Sequence, residues 1–334
     1  MKPLRILAIM HPELMPSGDR EALSAQEQSE SKTEYDVVRT LRAAGHEVLP
    51  LGVQYELRPI RAAAEEFKPH VVFNLLEEFH GEVLFDQNVV SYLELLHLPY
   101  TGCNPRGMII SRGKALSKKL VAYHRIKVPE FAVFPIGARI RRPARMRYPV
   151  IVKSLIEHAS VGIAKASVVD SDEKLAERVA FVHERIHTDA IAEQFIAGRE
   201  IYVSVLGNER LTVFPPWELL ATKLPDGEPL IATAKVKHDV EYQQRHGIET
   251  RAADLTADQS ARLVRIAKRI YKILELSGYA RLDFRLDDAG EFYFLEANPN
   301  PEIAEREEFA SSARAGGVSY TELLERIVMT GIRY

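Results

Sequence analysis

The stretch RLDFRLDDAGEFYFLEANPNPE, residues 281–302, decides the fold because it has the pattern of a buried hairpin with polar side chains at its ends. LDFRL and EFYFLEA alternate and DDAG has the composition of a turn, so two antiparallel strands are predicted. Their pairing brings Asp283 close to Glu296 and Asn298. Three hard oxygen ligands in one place suit Mg²⁺; a solvated hairpin face is the alternative interpretation.

The composition is that of a globular protein with two or three domains. The 334 residues exceed one ordinary core, and 46% are hydrophobic and 27% charged. A net charge of −3 without a basic tail does not indicate a nucleic-acid partner. The single cysteine, Cys103, fits a reducing compartment and is interpreted as a structural thiol rather than a nucleophile. The N-terminal apolar run is too short for a signal peptide and no segment reaches ~20 apolar residues, so a cytoplasmic protein without a membrane partner is expected.

The first third of the chain alternates predicted strands and helices. PLRILAIM has the pattern of a buried strand, and two further segments each predict a helix, a Gly or Pro stop and a strand: TEYDVVRTLRAAGHEVLPLGV and RPIRAAAEEFKPHVVFNLLEE. This alternation predicts right-handed βαβ units in a parallel sheet. We therefore expect an α/β, Rossmann-like domain over residues 1–110, ending near PYTGCNP.

The rest of the chain predicts two α+β domains. A basic helix over 111–128 precedes PVIVKSLIEHASVGIAKASVV, which predicts two strands around a small-residue loop, then a helix from Ser171 and the strands AIAEQFI and REIYVSVLG. These elements define a central domain, 111–206. The C-terminal domain, 207–334, holds the helix SARLVRIAKRIYKILEL, the hairpin and a closing helix from Tyr320.

Two lysines and a loop of small residues suggest phosphate binding. Lys153 follows PVIV in an apolar strand, where burying an unpaired ammonium is costly and a phosphate ligand would remove the cost. The loop HASVGI follows it, and its backbone N–H groups can close over phosphate oxygens. Lys114 lies on the preceding basic helix. An ordinary surface position is the alternative for either lysine.

Two acids flank the segment QFIAGR in the central domain. Glu193 lies at the end of a strand, with Phe195 and Ile196 just behind it, and Glu200 follows. Apolar side chains beside an acid that accepts hydrogen bonds suit an adenine ring and a ribose. An ordinary charged strand–turn–strand segment is the alternative interpretation.

In this order the residues resemble the ATP-grasp superfamily, and within it the D-alanine–D-alanine ligases. The similarity covers nearly the whole chain and includes PYTGCNP, PVIVK followed by SVGI, IAEQFIAGREIYVSVLG, and ARLDF…FLEANPNP with GGVSYTELLERIV. It implies the ATP-grasp fold, in which two α+β domains clamp ATP beside the N-terminal domain. It further implies an ADP-forming carboxylate–amine ligase that acts through an acyl phosphate, uses ATP and Mg²⁺ (or Mn²⁺), takes small-molecule carboxylate and amine substrates, and has a homodimer as a candidate assembly.

The resemblance also assigns roles to the candidate residues. Arg281 would face the developing tetrahedral centre, and Lys237 of AKVKHD, with Lys235 as the other candidate there, would be a further phosphate contact. The implied nucleotide-binding residues are Lys114, Lys153, Ser160, Gly162, Glu193, Phe195, Ile196 and Glu200, and the implied metal ligands are Asp283, Glu296 and Asn298.

Two N-terminal regions depart from the family's pattern. The D-alanine ligases place a glycine-rich acidic motif with a catalytic Glu in the first loop, where this chain has HPELMPSGDREALSAQEQSESK; Glu13 and Glu27 are the candidate replacements. The segment that lines the first substrate becomes LLEEFHGEVLFDQN, in which His80 and Gln87 are candidate substrate contacts.

The largest departure follows Asn298. The ligases continue with Pro-Gly and then a Ser that hold the carboxylate of the second substrate, whereas PNPEIAEREEF places Glu302 and Glu307 there. Acids at these positions repel a free amino-acid carboxylate. D-Ala plus D-Ala is therefore not the expected substrate pair, and a basic amine, or a peptide with a differently placed carboxylate, fits better. A solvated acidic loop is the alternative for the segment; a genuine D-alanine–D-alanine ligase and a catalytically decayed ATP-binding regulatory protein are the competing functions.

Overall fold

The computed structural model describes residues 2–16, 24–156, 163–223, 230, 231, 233, 236 and 239–333. The predicted contacts at Ser160, Gly162, Lys235 and Lys237 lie outside these residues. Within the described part, the strands form three sheets, and no helix has both the length and the apolar character needed to cross a membrane.

The N-terminal sheet is parallel, with the strand order β2-β1-β3. Alternate residues of β1 pack on opposite faces, because Ile6 shares a core with helix α2 whereas Leu7 shares one with helix α3. Helices on both faces explain why β1 is apolar after Arg5. The elements are β1 (Arg5–Met10), α1 (Ala25–Glu30), α2 (Lys32–Ala43), β2 (Glu47–Gly52), α3 (Arg58–Phe67), β3 (Val71–Asn74) and α4 (Asp86–Leu95).

Two helices follow where one was predicted over 111–128: α5 (Pro105–Arg112) and α6 (Lys114–Tyr123). That prediction is wrong because Gly113 leaves the helical conformation, with ψ 88°. Cys103, just before α5, is fully buried, and burial raises the pKa of its thiol to about 12. This supports the interpretation of Cys103 as a structural thiol.

The central sheet is antiparallel, with the order β4-β7-β5-β6. It has a core of its own, in which Val150 and Val152 pack against Val179 of the covering helix. The elements are β4 (Phe131–Phe134), β5 (Val150–Ser154), β6 (Val168–Val169), α7 (Asp172–Phe181), a π-helical turn (Val182–Ile186) and β7 (Ala190–Gln194).

The third sheet is the largest and is also antiparallel, with the order β11-β10-β8-β12-β13 and β9 paired to β8. Helix α11 crosses to the N-terminal sheet, where Leu323 and Ile327 share a core with Ile6. The elements are β8 (Arg199–Leu206), β9 (Thr212–Val213), β10 (Trp217–Ala221), α8 (Val240–His246), β11 (Ile248–Ala252), α9 (Ala257–Ile273), β12 (Tyr279–Leu286), β13 (Phe292–Pro299), α10 (Glu308–Ala315) and α11 (Tyr320–Ile332).

The position of β8 bears on the predicted domain boundaries. The sequence placed this strand in the central domain, 111–206, but β8 pairs with β12 along its whole length and so belongs to the large sheet. We therefore propose that the central domain ends near residue 195, after β7. The division at 110 and the extent of the C-terminal domain stay predictions.

Candidate active site

The hairpin of β12 and β13 brings the predicted metal ligands together. Asp283 lies opposite Glu296, and Arg281 lies opposite Asn298. The Asn298 side-chain amide donates a hydrogen bond to Asp283 Oδ2 at 3.0 Å. The register shifts immediately after Asp283, where Leu295 is the extra residue of a β-bulge. Such bulges redirect side chains beside active sites.

These side chains supply two carboxylates and one amide, a donor set that fits Mg²⁺. Asp283 is buried and accepts two hydrogen bonds from Arg281, at 2.9 and 3.0 Å, whereas the side chain of Glu296 is 23% exposed. Among the described residues, no three His, Cys, Asp or Glu side chains form a ready metal cluster. A metal here would therefore depend on the Asn298 oxygen and would compete with Arg281 for Asp283.

The Arg281 guanidinium is held on three sides. Besides its paired bonds to Asp283, it lies 3.8 Å from Glu308 and over the ring of Tyr202, 4.7 Å from the centroid. Burial acts to lower the pKa of Arg281, but Asp283 and Glu308 outweigh it and raise the pKa well above its ordinary value. A positive charge is thus fixed at the edge of a cavity that Tyr202 and Glu308 also line.

A cluster of two lysines and one glutamate adjoins the hairpin through Lys118. Glu193 Oε1 is 2.9 Å from the Lys118 ammonium and Glu193 Oε2 is 3.3 Å from that of Lys153. Burial acts to raise the pKa of Glu193, but the two lysines outweigh it and the pKa is lowered. Glu193 thus compensates the Lys153 ammonium that the sequence argument had assigned to a phosphate. Lys118 also donates to the carbonyl of the bulged Leu295.

Lys114 connects this cluster to the hairpin. Its ammonium is 3.8 Å from Glu296 Oε2, and burial lowers its pKa. Burial also acts to lower the pKa of Lys153, but Glu193, Glu296 and Glu200 outweigh it and raise the pKa. The predicted phosphate-binding lysines and metal ligands are therefore neighbours.

Glu200 is a further acid near Lys153, whose pKa it helps to raise. Its Oε2 lies 2.9 Å from the Arg285 guanidinium and its Oε1 accepts a hydrogen bond from the Tyr202 hydroxyl at 3.0 Å. Arg285 also donates to the Gly198 carbonyl and lies 5.9 Å from the Phe195 ring centroid. Of the predicted adenosine-binding residues, Glu200 and Phe195 thus lie beside Arg285, and Ile196 is buried.

The sequence analysis missed two residues for which the chain carried a signal. Lys118 follows Lys114 by four residues, so both lie on one face of helix α6. Arg285 follows Arg281 and Asp283 at a spacing of two, which places all three on one face of β12. Both residues lie in segments that the sequence analysis already predicted to be a helix or a strand.

Glu302 and Glu307 lie close together, and the ammonium group of Lys32 lies between their carboxylates. The Lys32 ammonium lies 2.9 Å from Glu302 Oε1 and 2.5 Å from Glu307 Oε1. Burial, Glu302 and Glu308 raise the pKa of Glu307 to about 7, against the opposing effect of Lys32. The contact joins the first turn of α2 to the loop after β13.

The N-terminal candidates make local contacts. His80 is exposed and packs edge-to-face on Tyr55, with ring centroids 5.0 Å apart, and the Gln87 amide donates to Asn88 at 2.6 Å. Glu27 accepts the backbone N–H of Ser24 in the capping box of α1, and the side chain of Glu13 is 86% exposed. These contacts do not link any of the four to the hairpin.

The chain is similar in sequence and in fold to known proteins. The family model described as D-ala D-ala ligase C-terminus matches residues 121–329. A D-alanine–D-alanine ligase of Bordetella petrii is 34% identical over 75% of this chain and 73% of its own, and an uncharacterized protein of Sinorhizobium fredii is 29% identical over 87% and 85%. The structure of the D-alanine–D-alanine ligase of Bacillus anthracis complexed with ATP has a TM-score of 0.76 at 22% identity and covers 99% of this chain and 98% of its own.

Proposed function

Because the chain belongs to the D-alanine–D-alanine ligase family, we propose that it is an ADP-forming ligase that joins a small carboxylate to a small amine through an acyl phosphate. Family membership confirms the predicted ATP-grasp fold and the predicted ATP-dependent, amide-forming enzyme. The identities of the carboxylate and the amine belong to the proposal.

One observation supports this proposal above the others: the buried lysines adjoin the oxygen-rich hairpin through the 3.8 Å contact of Lys114 with Glu296. We assign Lys114 and Lys153 to the binding of the ATP phosphates, and Phe195 and Glu200 to the binding of the adenosine. Cations on one side of a phosphoryl group and a metal-binding set on the other are the arrangement that phosphoryl transfer requires.

Asp283, Glu296 and Asn298 would hold Mg²⁺, which when bound neutralises charge on the phosphate oxygens. The chain's own lysines add to that neutralisation because they lie in a poorly solvated site, where electrostatic interactions are stronger than in water. Arg281, whose charge is fixed by Asp283 and Glu308, is placed to stabilise an oxyanion at the edge of the cavity.

The reaction proceeds in two steps. The substrate carboxylate attacks the γ-phosphorus of ATP, which forms an acyl phosphate and releases ADP. The lone pair of a neutral amine then attacks the acyl carbon, so that the C–N bond forms, the C–O bond to phosphate breaks, and the nitrogen loses its extra proton. Inorganic phosphate leaves. Arg281 would act in the second step, in which negative charge develops on the acyl oxygen.

The Lys153→Ala variant is expected to bind ATP about 10- to 100-fold more weakly, because a charge-assisted hydrogen bond is worth roughly 1.5–3 kcal/mol. Calorimetric titration of ATP with Mg²⁺ checks this result. Lys119→Ala is the matched control, since Lys119 is an exposed lysine of α6. An unchanged ATP affinity in a folded Lys153→Ala protein would remove this lysine from the nucleotide site.

A genuine D-alanine–D-alanine ligase is the second candidate. It is favoured by the 34% identity to the Bordetella petrii protein of that name and by Lys32, whose ammonium offsets one of the two acids. We nevertheless propose another acceptor, because Glu302, Glu307 and Lys32 together still carry one net negative charge when both acids are ionised, and Glu308 adds a second.

D-alanine alone is expected to support ADP release with a kcat/KM at least about 100-fold below that of the best acceptor in a panel of amino acids, amines and small peptides. The reason is electrostatic repulsion between the carboxylate of D-alanine and the carboxylates of Glu302 and Glu307. Coupled ADP-release kinetics measure it, with ATP alone as the blank. If D-alanine matches the best acceptor, the second candidate function is the correct one.

A further inference from the structure

A small cavity lies beside Arg281, at the place where the proposed ligase would receive its acceptor amine. Its volume is about 240 Å³, and Lys32, Tyr202, Glu302 and Glu307 are among the residues that line it. This volume accommodates a small molecule and is too small for a folded partner.

Among the described residues that line the cavity, the carboxylates outnumber the cations by four to three. Glu302, Glu307 and Glu308 line it, and Lys32 is the cation that contacts the first two. Arg281 already pairs with Asp283 and also lies 3.8 Å from Glu308, so these two acids share its single charge. The remaining charged lining residues, Glu249 on β11 and the exposed Arg306, carry opposite charges. The contacts among the described residues thus leave the carboxylates in excess of the cations.

The buried carboxyl group of Glu34, which interacts with Glu302, responds to the charge of this region. The residue is 5% exposed, and among the described residues its Oε2 atom has no hydrogen-bond partner. The other charged groups that act on Glu34 are the carboxylates of Glu77 and Glu302; burial and these two acids raise its pKa to about 8. A pKa of about 8 keeps this carboxyl group protonated at neutral pH, so Glu34 reflects the negative charge of Glu77 and Glu302 around it without adding to that charge.

Lys32 marks where a cation binds. Its ammonium bridges Glu302 and Glu307, yet the three side chains are 29%, 36% and 25% exposed, so the contact is open to solvent. A lysine is a point charge on a flexible stem. It can therefore move aside when another cation arrives, which a rigid, forked arginine contact would resist.

We propose that this pocket selects an acceptor that carries a second positive charge besides the reacting amine, such as a diamine, and that Lys32 occupies the place of that charge in the free protein. The proposal rests on the ligase function above. The reacting nitrogen is neutral and faces Arg281, whereas the remote ammonium stays protonated against Glu302 and Glu307. A zwitterionic amino acid would place its carboxylate where the diamine places its cation.

Direct binding tests the pocket independently of catalysis. We would titrate 1,4-diaminobutane, butylamine and 4-aminobutanoate into protein loaded with a non-hydrolysable ATP analogue and Mg²⁺. The diamine is expected to bind most tightly and 4-aminobutanoate least. Glu302→Gln/Glu307→Gln should weaken diamine binding by about 10-fold or more, and Lys32→Met should strengthen it severalfold because the internal competitor is gone.

Glu305→Gln is the matched control, because Glu305 belongs to the same loop but pairs with Arg39; its diamine affinity should equal that of the wild type. The same order of ligands in wild type and double variant would overturn the inference, as would loss of diamine binding in Lys32→Met. ADP release is then measured with the same amines and a panel of carboxylates. Diamine binding without ADP release in any combination would refute the proposed function and support the proposed diamine site. ADP release without a preference for the diamine would support the proposed function and refute the diamine site.

Discussion

Turnover of the Glu296→Gln variant is expected to fall by about 10³-fold or more, because a neutral amide weakens the metal site and removes charge balance at the transferring phosphoryl group. Gln has nearly the same shape as Glu, and the side chain of Glu296 is partly exposed beside Lys114. The fold should therefore survive. Steady-state ADP release, together with a thermal unfolding curve, separates the loss of chemistry from a loss of structure.

Glu291→Gln is a suitable control for this substitution. Glu291 lies next to the turn of the same hairpin, where it pairs with Lys127 and Arg262 at 3.2 Å each, away from the bulge. Its turnover should remain within about twofold of the wild type, as is usual for a surface substitution outside a site. Equal turnover in the Glu296 and Glu291 variants would show that the hairpin acids do not hold the metal.

The hairpin itself was predictable from the sequence because its information is local. Alternation in LDFRL and EFYFLEA fixes the faces of the strands, and pairing across the turn then brings Asp283 and Glu296 together without further knowledge of the fold. The parallel N-terminal sheet follows from local patterns in the same way, since each strand is followed by an amphipathic helix.

The contacts that complete the site were not predictable, because they join distant parts of the chain. Lys32 meets Glu307 across 275 positions, and Lys118 meets the Leu295 carbonyl across 177. No periodic pattern in the sequence predicts either contact. The sequence did not show which sheet contains β8 for a related reason: its pattern is compatible with either antiparallel sheet, and only the pairing with β12 decides between them.

Lys118 makes one of these long-range contacts, and its replacement is the substitution with the largest expected effect on stability. Lys118 and Glu193 are each 1% exposed, and the removal of one partner from a buried ion pair costs roughly 3–5 kcal/mol because the other charge is left in a poorly solvated place. Lys153 remains beside Glu193 at 3.3 Å, so we expect Lys118→Met to lose about 3 kcal/mol, the lower end of that range. The midpoint of thermal unfolding should fall accordingly, and it should fall least when ATP and Mg²⁺ are present, since ligands of the folded state stabilise it.

A double-mutant cycle with Glu193→Gln distinguishes a lost charge pair from lost packing. If the cost of Lys118→Met arises from its charge pair with Glu193, the double variant should be more stable than the sum of the two single losses predicts, because Glu193→Gln alone already removes that pair. If the two losses simply add, the pair contributes nothing specific and Lys118 acts through its hydrogen bond to the Leu295 carbonyl. Lys119→Met, on the exposed side of the same helix, should leave the unfolding midpoint unchanged. Wild-type stability in Lys118→Met would contradict the account of this ion-pair cluster as a stabilising link between the central sheet and the hairpin.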